Sequence, residues 1–263
     1  MDDASYILTY RDDGGAERRA NLRAVLRWLE LRPRLEVIIV EQDSAPRLDL
    51  PAVAGRRTLF GYNPGPFNKS WGFNVAARQT SRRLLVLADA DVLVGDALDQ
   101  AIELCRGGAD AAKPYRRIVD LDAEESRRVR GGESDFAPQR GVGVPPDRQG
   151  QQEFVVFAGG LFVIARDCYW RLRGCDERFR GWGGEDDAMT IKLQRAGARL
   201  AECGERPALH LWHPRGAPAA HAHYAANRQL VADYRTYGDD EFARLCEVQR
   251  QIIGNPHKYS PGR

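Results

Sequence analysis

Strand-like and helix-like apolar patterns alternate along the first half of this chain, and that alternation restricts its fold more than any other feature. Residues 6–10 read as a strand. After a polar loop over 11–17, Leu22, Val25, Leu26 and Leu29 recur at i, i+3, i+4, i+7, the period of a helix with one apolar face. Pro33 closes that helix, and 35–40 is a short apolar run of the kind buried in parallel sheet. A strand near 57–60, a helix over about 70–80 and a strand over 84–87 continue the series. Consecutive βαβ units of this sort predict an α/β fold with right-handed crossovers. The expectation is a mostly parallel central sheet flanked by helices, with a small antiparallel element.

Over 116–152 the periodicity dissolves into charged residues with Gly131-Gly132 and Pro145-Pro146, which reads as a long functional or flexible loop. Strand-like runs resume at 153–157 and 161–165. A helix is expected from the acidic residues at 185 to a stop at Gly197, then a short strand over 208–212. The remainder, 221–253, reads as polar and helical, and 255–263 as a loose tail. The chain thus divides into a main domain over 1–215, with halves 1–115 and 153–215, and a helical extension over 216–263.

Composition excludes several classes. A net charge of +2 spread over 263 residues is not the footprint of a dedicated nucleic-acid binder. No apolar run approaches the roughly 20 residues that cross a bilayer, and the opening residues lack a signal-peptide pattern. Five widely spaced cysteines without a Cys-x-x-Cys fit reduced thiols. A cytoplasmic location is expected, with peripheral membrane association left open.

Chemistry concentrates in three places. The first is Phe179-Arg180-Gly181-Trp182-Gly183-Gly184-Glu185-Asp186-Asp187: a flat aromatic, three glycines and three acids at a helix start. An acidic first turn alone complements the helix dipole. The added Trp and glycines instead suit a held sugar ring and an activated alcohol, because glycine lets backbone approach a ligand and a carboxylate can accept a hydroxyl proton. The second is Asp89-Ala90-Asp91 behind the strand 84–87, at the sheet edge where open α/β proteins bind ligands. The third is His210-Leu211-Trp212-His213, with His213 preferred as a metal ligand and His210 second, since on a strand the two rings would face opposite ways. Phe67-Asn68-Lys69 with Asn74 suits nucleotide or phosphate contacts. Dinucleotide, P-loop and serine-hydrolase motifs are missing from the sequence.

In this order the motifs resemble the GT-A glycosyltransferases, most of all the β-1,4-galactosyltransferase group and its bacterial family 2 relatives. Ala158-Gly159-Gly160, Arg173-Gly174 with Phe179, and Gly181 to Asp187 carry the most specific likeness. The resemblance implies a GT-A fold, a UDP-sugar donor and Mn²⁺ or Mg²⁺ held by Asp91 and His213, with His210 where the family commonly has Met. It implies Thr9, Tyr10 and Arg11 along the nucleotide, Asp43 near the base, and Phe67, Asn68, Lys69 and Asn74 as the nucleotide segment. Asp89 would lie near the donor ribose or sugar. Trp182 would sit on a closing loop with Gly183 and Gly184, beside Gly159 and Gly160. Asp186 would be the catalytic base, with Glu185 orienting a glycan or other hydroxyl acceptor. Three alternatives are a retaining N-acetylgalactosaminyl-type transferase, which shares a Trp-Gly-Gly-Glu run, a sugar nucleotidyltransferase, and a non-catalytic carbohydrate-binding protein on the same scaffold.

Overall fold

In the computed structural model, which describes residues 3–133, 156–214 and 221–260, the fully buried strand β1 (Ala4–Tyr10) lies near the middle of a seven-stranded sheet. β2 (Glu36–Asp43), β3 (Arg56–Tyr62) and β4 (Leu84–Ala88) join it in parallel, giving the order β3-β2-β1-β4 on one side. Successive side chains point to opposite faces of a strand, and here both faces are apolar. Tyr6, Leu8, Val37, Ile39 and Val86 pack beneath α1 (Ala16–Glu30) and α3 (Ala97–Arg106). Ile7, Ile38, Val40, Leu85 and Leu87 pack on α2 (Lys69–Arg78) through the buried Trp71, Phe73 and Val75. Two-sided burial explains why these strands read as continuous apolar runs.

Beyond β4 the sheet changes direction. β8 (Leu161–Ala165) pairs antiparallel with both β4 and β6 (Ala111–Lys113), and β9 (Leu200–Glu202) lies parallel to β6. The pairing of Ala88 with Leu161 sets the start of β8 beside the end of β4, and Asp89 N donates to the Gly160 carbonyl at 2.8 Å. The Gly159–Gly160 turn therefore abuts the Asp89–Asp91 segment. Gly160 has φ +70°, and a Cβ there would stand 2.6 Å from the Tyr115 hydroxyl, so only glycine fits without displacing that ring. Of the strand run expected over 153–157, Val156 and Phe157 lie outside any strand, and 153–155 lie outside the described residues.

A second, three-stranded sheet takes one strand from the segment expected as a functional or flexible loop. β7 (Ile118–Asp120) and α4 (Ala123–Arg130) occupy the start of 116–152, whose residues 134–152 lie outside the described residues. β10 (Ala208–His210), inside the short strand expected over 208–212, sits between β7 and β5 (Val92–Leu93). Brevity hides β7 from periodicity: three residues cannot display a repeat. β10 is antiparallel to β5, and parallel to β7.

α5 (Arg166–Arg171) and α6 (Glu185–Arg195) complete the main body, followed by α7 (Tyr224–Thr236) and α8 (Asp239–Ile252). These last helices are docked on the body rather than appended to it. Tyr234 donates to Asp176 at 2.9 Å, and Lys192 Nζ donates to Gln249 at 2.6 Å. The residues expected as a loose tail are also fastened. Trp71 Nε1 donates to the Asn255 carbonyl at 2.7 Å, and Lys258 meets Glu177 at 2.6 Å. Among the described residues no helix is long and apolar enough to cross a membrane.

Asn74, which the resemblance puts on the nucleotide, is instead wholly buried inside this scaffold. Its amide donates to the Cys175 carbonyl at 2.8 Å and to Glu177 at 2.9 Å, and its oxygen accepts from Tyr169 Oη at 2.5 Å and Cys175 N at 3.0 Å. Asn74→Ala strands several buried polar groups. The expected cost is about 2–4 kcal/mol, read as a lower urea midpoint at unchanged slope; a loss below about 0.5 kcal/mol, the scale of ordinary surface changes, would contradict the role.

Candidate active site

The small sheet joins three ligand-type side chains. Val92 pairs with His210, and Leu211 N donates to the Asp91 carbonyl at 2.8 Å, which fixes Asp91 beside the end of β10. The strand stops at His210, so the chain bends before His213 and both rings turn to the same carboxylate, contrary to the opposite-facing arrangement expected of an extended strand. His210 Nε2 lies 3.3 Å from Asp91 Oδ1 and His213 Nε2 lies 3.2 Å from Oδ2. One ligand atom from each of the three falls within 4.8 Å of the others. All three side chains are at most 13% exposed.

Both imidazoles have their other nitrogen engaged. His213 Nδ1 donates to the Pro214 carbonyl at 2.9 Å, and His210 Nδ1 lies 2.5 Å from Asp120 Oδ1. A carbonyl only accepts, so His213 Nδ1 carries a proton, and Nε2 is the ring nitrogen turned to Asp91. One carboxylate and two imidazole nitrogens form a donor set for a first-row transition ion, Mn²⁺ included, rather than the all-oxygen set that Mg²⁺ or Ca²⁺ prefers. Burial would raise the Asp91 carboxyl, but the charge and hydrogen bond of His210, with those of His213, hold it well below the usual carboxylate range. Burial likewise opposes the charged form of His210, yet Asp91 and Asp120 together push it up to about 10.

Two residues before Asp91, a second cluster begins. Lys69 Nζ lies 2.8 Å from Asp89, 3.1 Å from Asp186 and 3.6 Å from Glu185. Lys69 opens α2 behind its N-cap Asn68, and the two acids open α6, so two helix starts face each other across the end of β4. Burial would lower the Lys69 ammonium, but Asp186, Asp89 and Glu185 raise it well above the ordinary lysine value. Burial raises the Asp186 carboxyl. Lys69 opposes this, Glu185 and Asp89 add to it, and the outcome is about 7. With 29% of its side chain exposed, Asp186 stays open to solvent, which moderates the effect of burial.

The loop before α6 is shaped by glycine. Gly183 and Gly184 have φ +95° and +93°, and a Cβ on Gly184 would stand 2.8 Å from Phe179 and 2.9 Å from Val231. Asn227 of α7 donates to the Arg180 and Trp182 carbonyls, at 2.9 and 3.0 Å. Gly181 N donates to the Phe67 carbonyl at 2.7 Å, which ties the loop to the 67–69 segment. Trp182 remains 43% exposed, its ring against His221 and Tyr224.

Other residues expected on the nucleotide have structural employment. Asn68 is buried: its oxygen accepts from Trp71 N at 2.8 Å, and its amide donates to the Glu177 carbonyl and Tyr259 Oη, each at 2.8 Å. Like Asn74, it holds the 175–177 turn and is not free for a ligand. Thr9 and Tyr10 are buried at the end of β1, with the Thr9 methyl group beside Gly72 of α2. Arg11 donates to the carbonyls of Gln42, Asn63 and Gly65 at 2.7–2.8 Å, and its guanidinium lies 5.8 Å from the Phe67 ring centre. Asp43 accepts from Ser44 N at 2.6 Å. Gly159 is buried, with its carbonyl taken by Tyr115 Oη. Asp120 was not singled out in the sequence; its place as the one acid inside the apolar run 118–121 is the signal that could have found it.

Known proteins give this geometry a context. Residues 148–213, ending at the second histidine of the cluster, match the family model described as the N-terminal domain of galactosyltransferase. N-acetylgalactosaminyltransferase 4 of Drosophila melanogaster is 34% identical over 82 residues, 30% of this chain and 13% of the relative. The chain therefore spans a small part of that curated relative. Two solved structures align over most of it: the catalytic domain of Drosophila β1,4-galactosyltransferase 7 in complex with xylobiose, and GalNAc-T7 with UDP, GalNAc and Mn²⁺. The first has a TM-score of 0.51 at 13% identity, over 89% of this chain and 81% of that one. The second has a TM-score of 0.56 at 12% identity, over 97% and 55%. The fold is that of the GT-A glycosyltransferases.

If the three-residue cluster holds a cation, Asp91→Ala removes its only carboxylate ligand among the described residues. Calorimetric titration with MnCl₂ is expected to show binding weakened by about 100-fold or more. Unchanged affinity would refute the assignment.

Proposed function

We propose that the chain transfers a sugar of galactose, N-acetylgalactosamine or glucose type from a UDP-sugar to a hydroxyl of a glycan acceptor, with inversion at the anomeric carbon. The observation that carries this reading is the adjacency of two clusters through Asp89-Ala90-Asp91. One is a buried carboxylate flanked by two imidazoles, and the other is a lysine ringed by three acids. GalNAc-T7, of the same fold, was solved with UDP, GalNAc and Mn²⁺, which supports a nucleotide-sugar donor and that ion.

Each residue then has a task. Asp91, His210 and His213 would hold Mn²⁺, which supplies Lewis-acid stabilisation of a departing diphosphate when bound. Lys69 adds a fixed positive charge on the same side, preorganised by its salt bridges. Asp186 accepts the acceptor hydroxyl's proton as that oxygen attacks, and Glu185, one residue earlier on the same helical turn, orients the acceptor. A carboxyl near 7 is well matched to this role, because a base works best when its pKa lies close to the working pH. Trp182 offers an exposed face for the sugar, on a loop whose glycines and Asn227 contacts set its path. Excluding water there would spare the donor from hydrolysis.

A second reading has its own support: the sequence relative quoted above is an N-acetylgalactosaminyltransferase. A retaining reaction on this scaffold would not need Asp186 as base. NMR of the product's anomeric proton separates the two, with inversion expected here.

Asp186→Asn is expected to keep donor affinity within about twofold while turnover falls by about 10²–10⁴-fold, the usual weight of a general base. Near-normal turnover would remove Asp186 from the mechanism. The base must be ionised to act, so kcat/KM should fall by about tenfold per pH unit below about 7 and level off above it. A flat acid limb in the unaltered protein would show that another group takes the proton.

A further inference from the structure

We infer that Asp120, reaching His210 from the neighbouring strand β7, is a positioning residue of the cation centre: it holds the ring so that Nε2, not Nδ1, is offered to the ion. This rests on the metal reading above and adds to it a residue outside the motifs that suggested that reading.

The geometry is specific. His210 and Asp120 are register partners on parallel strands, and Leu121 N donates to the His210 carbonyl at 2.9 Å, so the two backbones are locked independently of the side chains. Asp120 Oδ1 sits 2.5 Å from His210 Nδ1, while His210 Nε2 lies 3.3 Å from Asp91 on the far side of the ring. Both partners are 12% exposed. A carboxylate accepts and a ring N–H donates, so this contact keeps a proton on Nδ1, and Nε2 is the nitrogen that gives up its own proton when a cation binds. The Pro214 carbonyl does the same for His213. A carboxylate behind a ligating imidazole also raises its basicity, more than a peptide carbonyl does. The two histidines therefore differ in the strength of their support, and His210 is the one whose ligation depends on an ionisable neighbour.

A purely structural Asp120 would give the same crowding and the same burial, so the test must count ligands. The unaltered chain, Asp120→Ala, Asp120→Asn and Asp91→Ala are titrated with MnCl₂ by calorimetry, and bound Mn²⁺ is examined by pulsed EPR for coupled imidazole nitrogens. The unaltered chain is expected to show two coupled nitrogens. Asp120→Ala is expected to bind about 10–100-fold more weakly, the usual effect of losing such a partner, with one coupled nitrogen remaining, that of His213. If Asp120→Ala proves unfolded by circular dichroism, the near-isosteric Asp120→Asn carries the test, with weaker binding and a diminished second coupling expected. Two undiminished couplings and unaltered affinity in a folded Asp120 variant would overturn the inference and leave the cation centre intact. Absence of Mn²⁺ binding by the unaltered chain, matching Asp91→Ala, would instead bring down the metal reading and the inference with it.

Discussion

The antiparallel pairing of β8 against the end of β4 is the constraint from which the site follows. Parallel strands alone would leave the carboxyl end of β4 as an open edge of loops. Because Leu161 opposes Ala88, the turn at Gly159–Gly160 enters beside Asp89 and receives its amide hydrogen bond. β8 then leads through α5 to the 175–177 turn and so to the glycine loop and α6. One register choice thereby sets Asp89 and the Glu185–Asp186 pair within reach of a single lysine. A one-residue slip would turn every β8 side chain to the opposite face and exchange its contacts between the two cores, so the apolar pattern itself protects the register.

Electrostatics explains why that lysine and those histidines are where they are. Asp89, Glu185 and Asp186 crowd a partly buried space, and like charges there repel strongly because little water screens them. Burial raises the proton affinity of Asp186; Lys69 opposes this, and the remaining repulsion from Glu185 and Asp89 adds to it. The neighbouring Asp91 takes the opposite course, held ionised by its two imidazoles. Two acids of the same chemistry, close in space, are thus pushed apart in proton affinity. That separation is what the proposed roles of ligand and base would require at one pH.

Much of this was legible in the sequence because it rests on runs long enough to show a period or on motifs of unusual composition. The strands of the parallel half, helices α1, α2 and α6, and the spacing of Asp89, Asp91, Glu185, Asp186, His210 and His213 are of that kind. What was not legible depends on short elements and long-range partners. β7 has three residues, yet its pairing with β10 sets Asp120 behind His210, and the early end of the expected strand 208–212 at His210 is what lets His213 converge on Asp91. The polar C-terminal stretch looked like an appendage because its helices carry few apolar residues. Its attachment combines an apolar cluster, in which Val231 and Tyr234 meet Phe179 and Ala188, with hydrogen bonds to Asp176, Glu177, Lys192 and Trp71. Such long-range partners have no signature along a chain.

Asn68 and Asn74 show how a motif can matter without touching a ligand. Both lie in the segment expected to read the nucleotide, and both turn inward to hold residues 175–177. Those residues open the path to Phe179 and the glycine loop, so the two asparagines connect α2 to the segment that leads into α6. Glu177 is the shared node. Its side chain accepts from Asn74 and Lys258, and its carbonyl accepts from Asn68. Buried polar networks of this type are costly when incomplete and rigid when satisfied. A chain that must keep Lys69 and Asp186 about 3 Å apart, on helices far separated in sequence, gains that rigidity from amides rather than from apolar packing, whose contacts are less directional. The residues nearest the chemistry can then stay polar and partly open, because the shape of the site is enforced one layer below it.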